Sequence, residues 1–290
     1  MSVASALIDP LVEFGFMRRA LVACFALSLG SAPIGVILVL RRMSLMGDAM
    51  SHAILPGAAI GFLIAGLSLW AMSLGGLVVG LLVALLSGIV SRVTPLREDA
   101  SLAGFYLISL ALGVLLISTR GSNVDLLHVL FGSILAVEDA SLLLVAAITS
   151  ATLVILALIY RPLVIECFDP AFLKTTLRGG SLIHTIFLGL VVVNLVAGFQ
   201  ALGTLMAVGL MMLPALAARF WTLRLEGLLA LSIGIGFASG LVGLLLSYNF
   251  DLPSGPSIIL TAGALYILSL LFGSRGSLRA RYFPGAHFHD

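Results

Sequence analysis

The chain has 290 residues, of which 61% are hydrophobic and only 10% are charged. A soluble domain carries about 25% charged residues, so this composition excludes an ordinary soluble fold and indicates a protein that lies in a membrane. The net charge of +2 gives no reason to expect a nucleic-acid partner.

Uncharged runs follow one another along the chain, and each is long enough to cross a bilayer, which takes about 20 residues. They predict an all-α polytopic membrane bundle of about nine transmembrane helices in one domain, residues 1–290. The runs are Ala20–Leu40, Ala53–Ser91 (two helices), Ala100–Thr119, Ala140–Tyr160, Gly179–Ala218 (two helices), Gly227–Phe250 and Leu252–Ser274.

The two longest runs are expected to break at glycine-containing stretches, Gly66–Gly76 and Gly198–Gly203. A further apolar stretch, Leu126–Val137, is too short to cross and has acidic neighbours. It predicts an external helix lying along the membrane, and His128 belongs to that helix.

Lys and Arg are distributed unevenly between alternate loops. If the loop at Arg41 is inside, then 12 of the 15 basic residues are inside, and only Arg18, Arg19 and Arg120 remain outside. Basic residues favour the cytosolic side of membrane proteins. The sequence therefore predicts an external N-terminus and a cytosolic C-terminus.

Two ionisable residues stand near the start of the second predicted helix, Asp48 and His52. Their i, i+4 spacing puts them on one helical face, where such residues are neighbours. Carboxylate and imidazole are ligands for zinc, manganese and iron. Pro56 has no N–H, so it leaves the His52 carbonyl without its usual helical donor. The pattern leaves two interpretations open: the pair contacts a metal ion, or Asp48 caps a helix and His52 only packs.

The segment from Arg161 to Gly180 predicts a short cytosolic helix that does not span the membrane. Asp169 suits the N-cap, Pro170 suits the first helical position, and Phe168 offers an apolar contact. An ordinary polar connection is the alternative. The chain has no G-x-x-x-x-G-K-[ST] loop, so any ATP hydrolysis has to come from another protein.

Several stretches resemble, in the right order, motifs of the permease subunits of zinc/manganese/iron ABC importers. They are Arg41–Gly57, Thr94–Asp99, Asp125–Ser133, Phe168–Pro170, Gly203–Arg219 and Asp251–Pro256. The resemblance covers nearly the whole chain. It implies a single transmembrane permease domain with the architecture of the cobalamin importers, without enzymatic activity of its own.

The resemblance also implies a setting for the protein. It would lie in a bacterial plasma (inner) membrane as a multi-pass protein, beside a second copy of itself. A cytosolic ATP-binding subunit and an extracytoplasmic metal-binding protein would complete the importer. Asp48 and His52 would contact the ion, and Phe168, Asp169 and Pro170 would couple the permease to the ATPase.

No permanently bound cofactor is expected, because the metal is the cargo. Zinc is the favoured ion, since two Asp–His pairs across a dimer axis would offer four ligands, with manganese or iron as alternatives. A proton-coupled secondary metal transporter is the main competing class. Such proteins carry several ionisable residues near the midplane, whereas Asn194 is the most polar residue in the middle of these spans.

Two further alternatives are weaker. A permease for cobalamin or iron chelates would leave Asp48 and His52 without a purpose, and no H-E-x-x-H motif indicates a membrane enzyme. His184 is predicted to be structural, and the role of His287 and His289 in the C-terminal tail is left open.

Overall fold

The computed structural model describes residues 13–66, 68–120, 139–168 and 180–279. All regular secondary structure within these ranges is helical, in agreement with the predicted all-α bundle. The helices are α1 Gly15–Leu40, α2 Met46–Ala65, α3 Leu69–Val93, α4 Glu98–Arg120, α5 Asp139–Phe168, α6 Gly180–Leu202, α7 Thr204–Ala218, α8 Leu225–Phe250 and α9 Ser254–Phe272.

Eight of these helices are long and apolar enough to cross a membrane, and α7, with 15 residues, is shorter. Much of α7 is buried, with Met206, Leu210 and Met211 fully enclosed. It packs against α1, α6, α8 and α9. A helix surrounded by protein has no need to match the bilayer thickness, which explains how so short an element fits in the bundle.

Both long uncharged runs break at a glycine, as predicted. Gly66 follows α2 with a φ of 62°, and Gly203 separates α6 from α7 with a φ of 89°. Residues that carry a Cβ rarely adopt such angles. The two glycines therefore allow the chain to end one apolar helix and start the next without a polar loop.

The fifth helix is longer than predicted. The sequence analysis ended it at Tyr160, but α5 continues through Pro162 to Phe168. Membrane helices tolerate proline where neighbouring groups satisfy the freed backbone. The prediction that a separate segment begins at Arg161 is therefore wrong for 161–168. Residues 169–179, the predicted external helix at 126–137 and the tail at 280–290, with His287 and His289, lie outside the described residues.

Polar contacts at the two ends of the bundle fix the helix directions. At one end, Arg19 of α1 donates a hydrogen bond to Asp139 of α5 over 3.1 Å. At the other, Arg41, which follows α1, donates to Glu166 of α5 over 2.7 Å. Helices α1 and α5 therefore run in the same direction, as the predicted alternation requires.

Burial distinguishes an inner group of helices from an outer one. Most of α1 and α6 is enclosed, whereas α4, α5 and α9 bury only a small part of their surfaces. Large side chains such as Leu27, Phe187 and Leu195 fill the centre. The apolar outer helices leave faces available to lipid or to another subunit.

Candidate metal site and its surroundings

Asp48 and His52 lie on one face of α2, as their spacing predicted. Oδ1 of Asp48 is 3.7 Å from Nε2 of His52, which is longer than a hydrogen bond. The side chain of Asp48 is 67% exposed and that of His52 is 41% exposed. Both groups therefore keep lone pairs that are free to contact an ion.

The alternative role for Asp48 as a helix cap does not match the geometry. Leu45 occupies the N-cap position of α2, and it makes no side-chain capping bond. Asp48 lies inside the first turn, where the helix dipole favours a negative charge. The carboxylate is thus stabilised at this position while its oxygens point to the surface.

Helix α4 supports α2 beside the Asp48–His52 pair. The Tyr106 ring lies 6.4 Å from the His52 ring, centroid to centroid. Ser109 donates a hydrogen bond to the Ala53 carbonyl over 2.9 Å. A side chain at Gly113 would meet the Pro56 backbone at 3.2 Å. This face of α4 therefore follows α2 from the ionisable pair to the proline.

Helix α3 holds the other side of α2 through direct backbone contact. A Cβ at Gly57 would lie 2.5 Å from the Gly75 carbonyl carbon, and one at Gly61 would lie 2.6 Å from the Ala71 carbonyl carbon. Real Cβ atoms do not come this close to other atoms, so only glycine fits. The half of α2 beyond His52 is thereby fixed against α3.

Across the described ranges, no group of three or more His, Cys, Asp or Glu side chains is arranged to hold a metal ion. One copy of the chain offers two side-chain donors at the Asp48–His52 pair. An ion there would have to complete its coordination with water, backbone carbonyls or a second copy. Such incomplete coordination suits a transported ion, which must be released.

The structure also brings together four residues that the sequence analysis left separate. Arg41, Glu98, Glu166 and His184 meet where α1 and α5 end and where α4 and α6 begin, and we name them the ionic cluster. Arg41 Nη2 lies 2.6 Å from His184 Nδ1, and His184 Nε2 lies 2.6 Å from Glu98 Oε1. His184 was predicted to be structural, but nothing in the sequence indicated these partners.

The predicted ATPase-coupling residues are only partly described. Phe168 ends α5, and 72% of its surface is exposed. Asp169 and Pro170 lie outside the described residues. The phenyl ring, two residues after Glu166 in the chain, is thus available for an apolar contact with another protein.

In the part of the chain that the structure describes, eight apolar helices of membrane-spanning length and a surface-exposed Asp–His pair indicate a multi-pass membrane protein with a polar site. The chain belongs to the ABC 3 transport family, which it matches over residues 13–273. The resemblance to the permeases of metal-ion ABC importers is thereby confirmed.

Relatives with assigned roles agree with this family. The chain is 34% identical to the manganese transport system membrane protein MntC of Halalkalibacterium halodurans, over 98% of this chain and 97% of that protein. It is 31% identical to the manganese import system permease protein ScaB of Streptococcus parasanguinis, over 92% and 94%. A relative from Haemophilus influenzae, 29% identical over 92% and 96%, is named for iron transport.

Solved structures share the fold. PsaBC of Streptococcus pneumoniae, solved in complex with a Fab, superposes with a TM-score of 0.83 at 30% identity, over 97% of this chain and 100% of that chain. A metal-chelate type ABC transporter in an inward-facing conformation gives a TM-score of 0.69 at 18% identity, over 90% and 87%. The chain is therefore the permease of a metal ABC importer, a transport subunit that is not an enzyme by itself.

Proposed function

We propose that the chain forms the membrane path of an importer that moves Mn²⁺ into the cytosol, with Asp48 and His52 as the ion's contacts. The observation that carries the proposal is the exposed carboxylate–imidazole pair on α2, whose closest atoms are 3.7 Å apart. Relatives that span nearly the whole chain are named for manganese, which supports this ion over the zinc favoured from the sequence. Zinc stays a prediction without such support, and iron is the second candidate.

The chemistry of the pair fits a weakly held ion. Among the divalent first-row metals Mn²⁺ binds a given set of ligands most weakly, whereas Zn²⁺ binds far more tightly. A site that completes its coordination only with water or a second copy holds Mn²⁺ loosely enough to release it. Whether the importer selects manganese over other ions would then depend on how readily the site releases the ion as well as on how tightly the site binds it.

The exposure of the pair supports a homodimer. A carboxylate within a membrane span is costly unless protein or a water-filled cavity covers it. Two-fold symmetry would place the α2 faces of two copies opposite each other, with two Asp–His pairs around one ion. The partners we assign are a second copy, a cytosolic ATP-binding subunit that docks at Phe168, Asp169 and Pro170, and an extracytoplasmic metal-binding protein.

The test is uptake by proteoliposomes that contain the complete importer, with Mn²⁺, Fe²⁺ and Zn²⁺ compared at equal concentration. We expect uptake of Mn²⁺ that requires ATP hydrolysis and exceeds uptake of Zn²⁺. ATP-dependent uptake of Zn²⁺ without Mn²⁺ would reassign the cargo. Uptake that needs a proton gradient and no ATP would instead support a secondary transporter.

A further inference from the structure

The ionic cluster links four helix ends through contacts between largely buried polar side chains. Arg41 Nη2 donates to Glu166 Oε1 over 2.7 Å, and the same nitrogen lies 2.6 Å from His184 Nδ1. His184 Nε2 lies 2.6 Å from Glu98 Oε1. A neutral ring satisfies the two shortest contacts of the histidine, with Nε2–H donating to Glu98 and Nδ1 accepting from Arg41. Nδ1 also lies 3.2 Å from Glu166 Oε1. Every member is thus joined to at least one other.

Stability alone does not account for this cluster. The side chains of Arg41, Glu166 and His184 are 11%, 8% and 10% exposed. Withdrawing such charges from water is costly, and well-packed apolar residues often hold a structure at least as firmly as a buried ion pair. Arg41 Nη1 and Glu166 Oε2 are also buried without a hydrogen-bond partner among the described residues. If the cluster rearranges, Arg41 Nη1 is therefore still able to donate a hydrogen bond and Glu166 Oε2 is still able to accept one.

The cluster lies between the two parts of the molecule that the proposed function connects. Glu166 lies two residues before Phe168, which ends α5, and His184 lies near the start of α6. These two helices flank residues 169–179, which include Asp169 and Pro170 of the proposed ATPase contact.

On the other side, Arg41 lies in the short connection from α1 to α2, the helix that carries Asp48 and His52. Glu98 begins α4, whose Tyr106 faces His52. The four side chains thus join the docking side to both helices that shape the metal site.

We propose that the ionic cluster is the coupling element of the permease, which transmits displacement of the end of α5 and the start of α6 to α2 and α4. This inference rests on the proposed function, because it takes the ATPase to dock beside the end of α5. When α5 and α6 shift, Glu166 and His184 displace Arg41 and Glu98 through their direct contacts. Because Arg41 precedes α2 and Glu98 begins α4, the face of α2 that carries Asp48 and His52 moves as well. Arg41, Glu98, Glu166 and His184 are positioning residues, since none of them is a proposed contact of the ion.

The test measures metal moved per ATP hydrolysed, in proteoliposomes of the complete importer supplied with Mn²⁺. The main variant is Arg41→Gln combined with Glu166→Gln. It removes both charges together, so neither charge is left buried without its partner. Glu98→Gln is the second variant, at the more exposed edge of the cluster. Matched controls are Arg42→Gln and Asp99→Asn, neighbours in the chain whose side chains are exposed.

We expect the cluster variants to assemble and hydrolyse ATP while the ratio of metal to ATP falls at least about fivefold, the lower end of common coupling energies. The controls should keep the normal ratio. A normal ratio in the cluster variants would overturn the inference, and so would a proportional loss of both activities or a failure of both variants to assemble. Absence of Mn²⁺ uptake by the unmodified importer would instead refute the proposed function.

Discussion

The close backbone contact between α2 and α3 predicts that a single methyl group added between the two helices lowers the stability of the protein. In Gly57→Ala, the new Cβ would lie 2.5 Å from the Gly75 carbonyl carbon, whereas ordinary van der Waals contact starts at 3.4 Å. The Gly75 carbonyl oxygen is closer still, so the two helices must separate by more than about 0.9 Å. Backbone cannot rotate away as a flexible side chain can, so we expect a loss of about 1–3 kcal/mol, the usual cost of overpacking.

Gly88 in α3 provides the matched control, since a Cβ there would meet nothing within 4 Å. Gly88→Ala should be neutral or stabilising by about 0.5–1 kcal/mol, because alanine favours a helix over glycine. The assay is thermal unfolding of the purified protein in detergent. Gly57→Ala should lower the melting temperature and Gly88→Ala should not. A melting temperature for Gly57→Ala at or above that of the unmodified protein would refute the close approach of α2 and α3.

Two further predictions concern the membrane sides and the ATPase contact. In a chain with Cys167→Ala, Thr176→Cys should react with an impermeant thiol reagent only after the cells are opened, whereas Ser68→Cys should react in intact cells; the reverse pattern would reject the predicted orientation. Asp169→Lys should reduce the amount of ATPase that co-purifies with the permease while membrane insertion stays normal, and Asp99→Lys is the control. Normal stoichiometry and transport in Asp169→Lys would remove that residue from the docking surface.

The features that the sequence predicted correctly depend on local rules. Charged residues interrupt the apolar runs, so the helices could be counted from the sequence. Gly66 and Gly203 mark helix breaks because each adopts a positive φ. The proximity of Asp48 and His52 follows from helical spacing alone.

The features that the sequence did not predict depend on tertiary contacts. The uncharged run ends at Tyr160, before Arg161, yet α5 continues to Phe168, and Glu166 near its end has a buried partner in Arg41. Arg41 and His184 are 143 positions apart, so no local pattern could pair them. Likewise, only the packing of α7 within the bundle explains how a helix of 15 residues belongs to it.

The central claim is that the transported ion contacts Asp48 and His52. The most direct test is ATP-dependent Mn²⁺ uptake, measured with ATP hydrolysis in the same vesicles, for Asp48→Ala, His52→Ala and the double variant. Each single variant should lose most of its uptake while basal hydrolysis persists. The double variant should add little, because residues that act as one unit are not additive. Near-normal uptake by a correctly assembled double variant would contradict the claim.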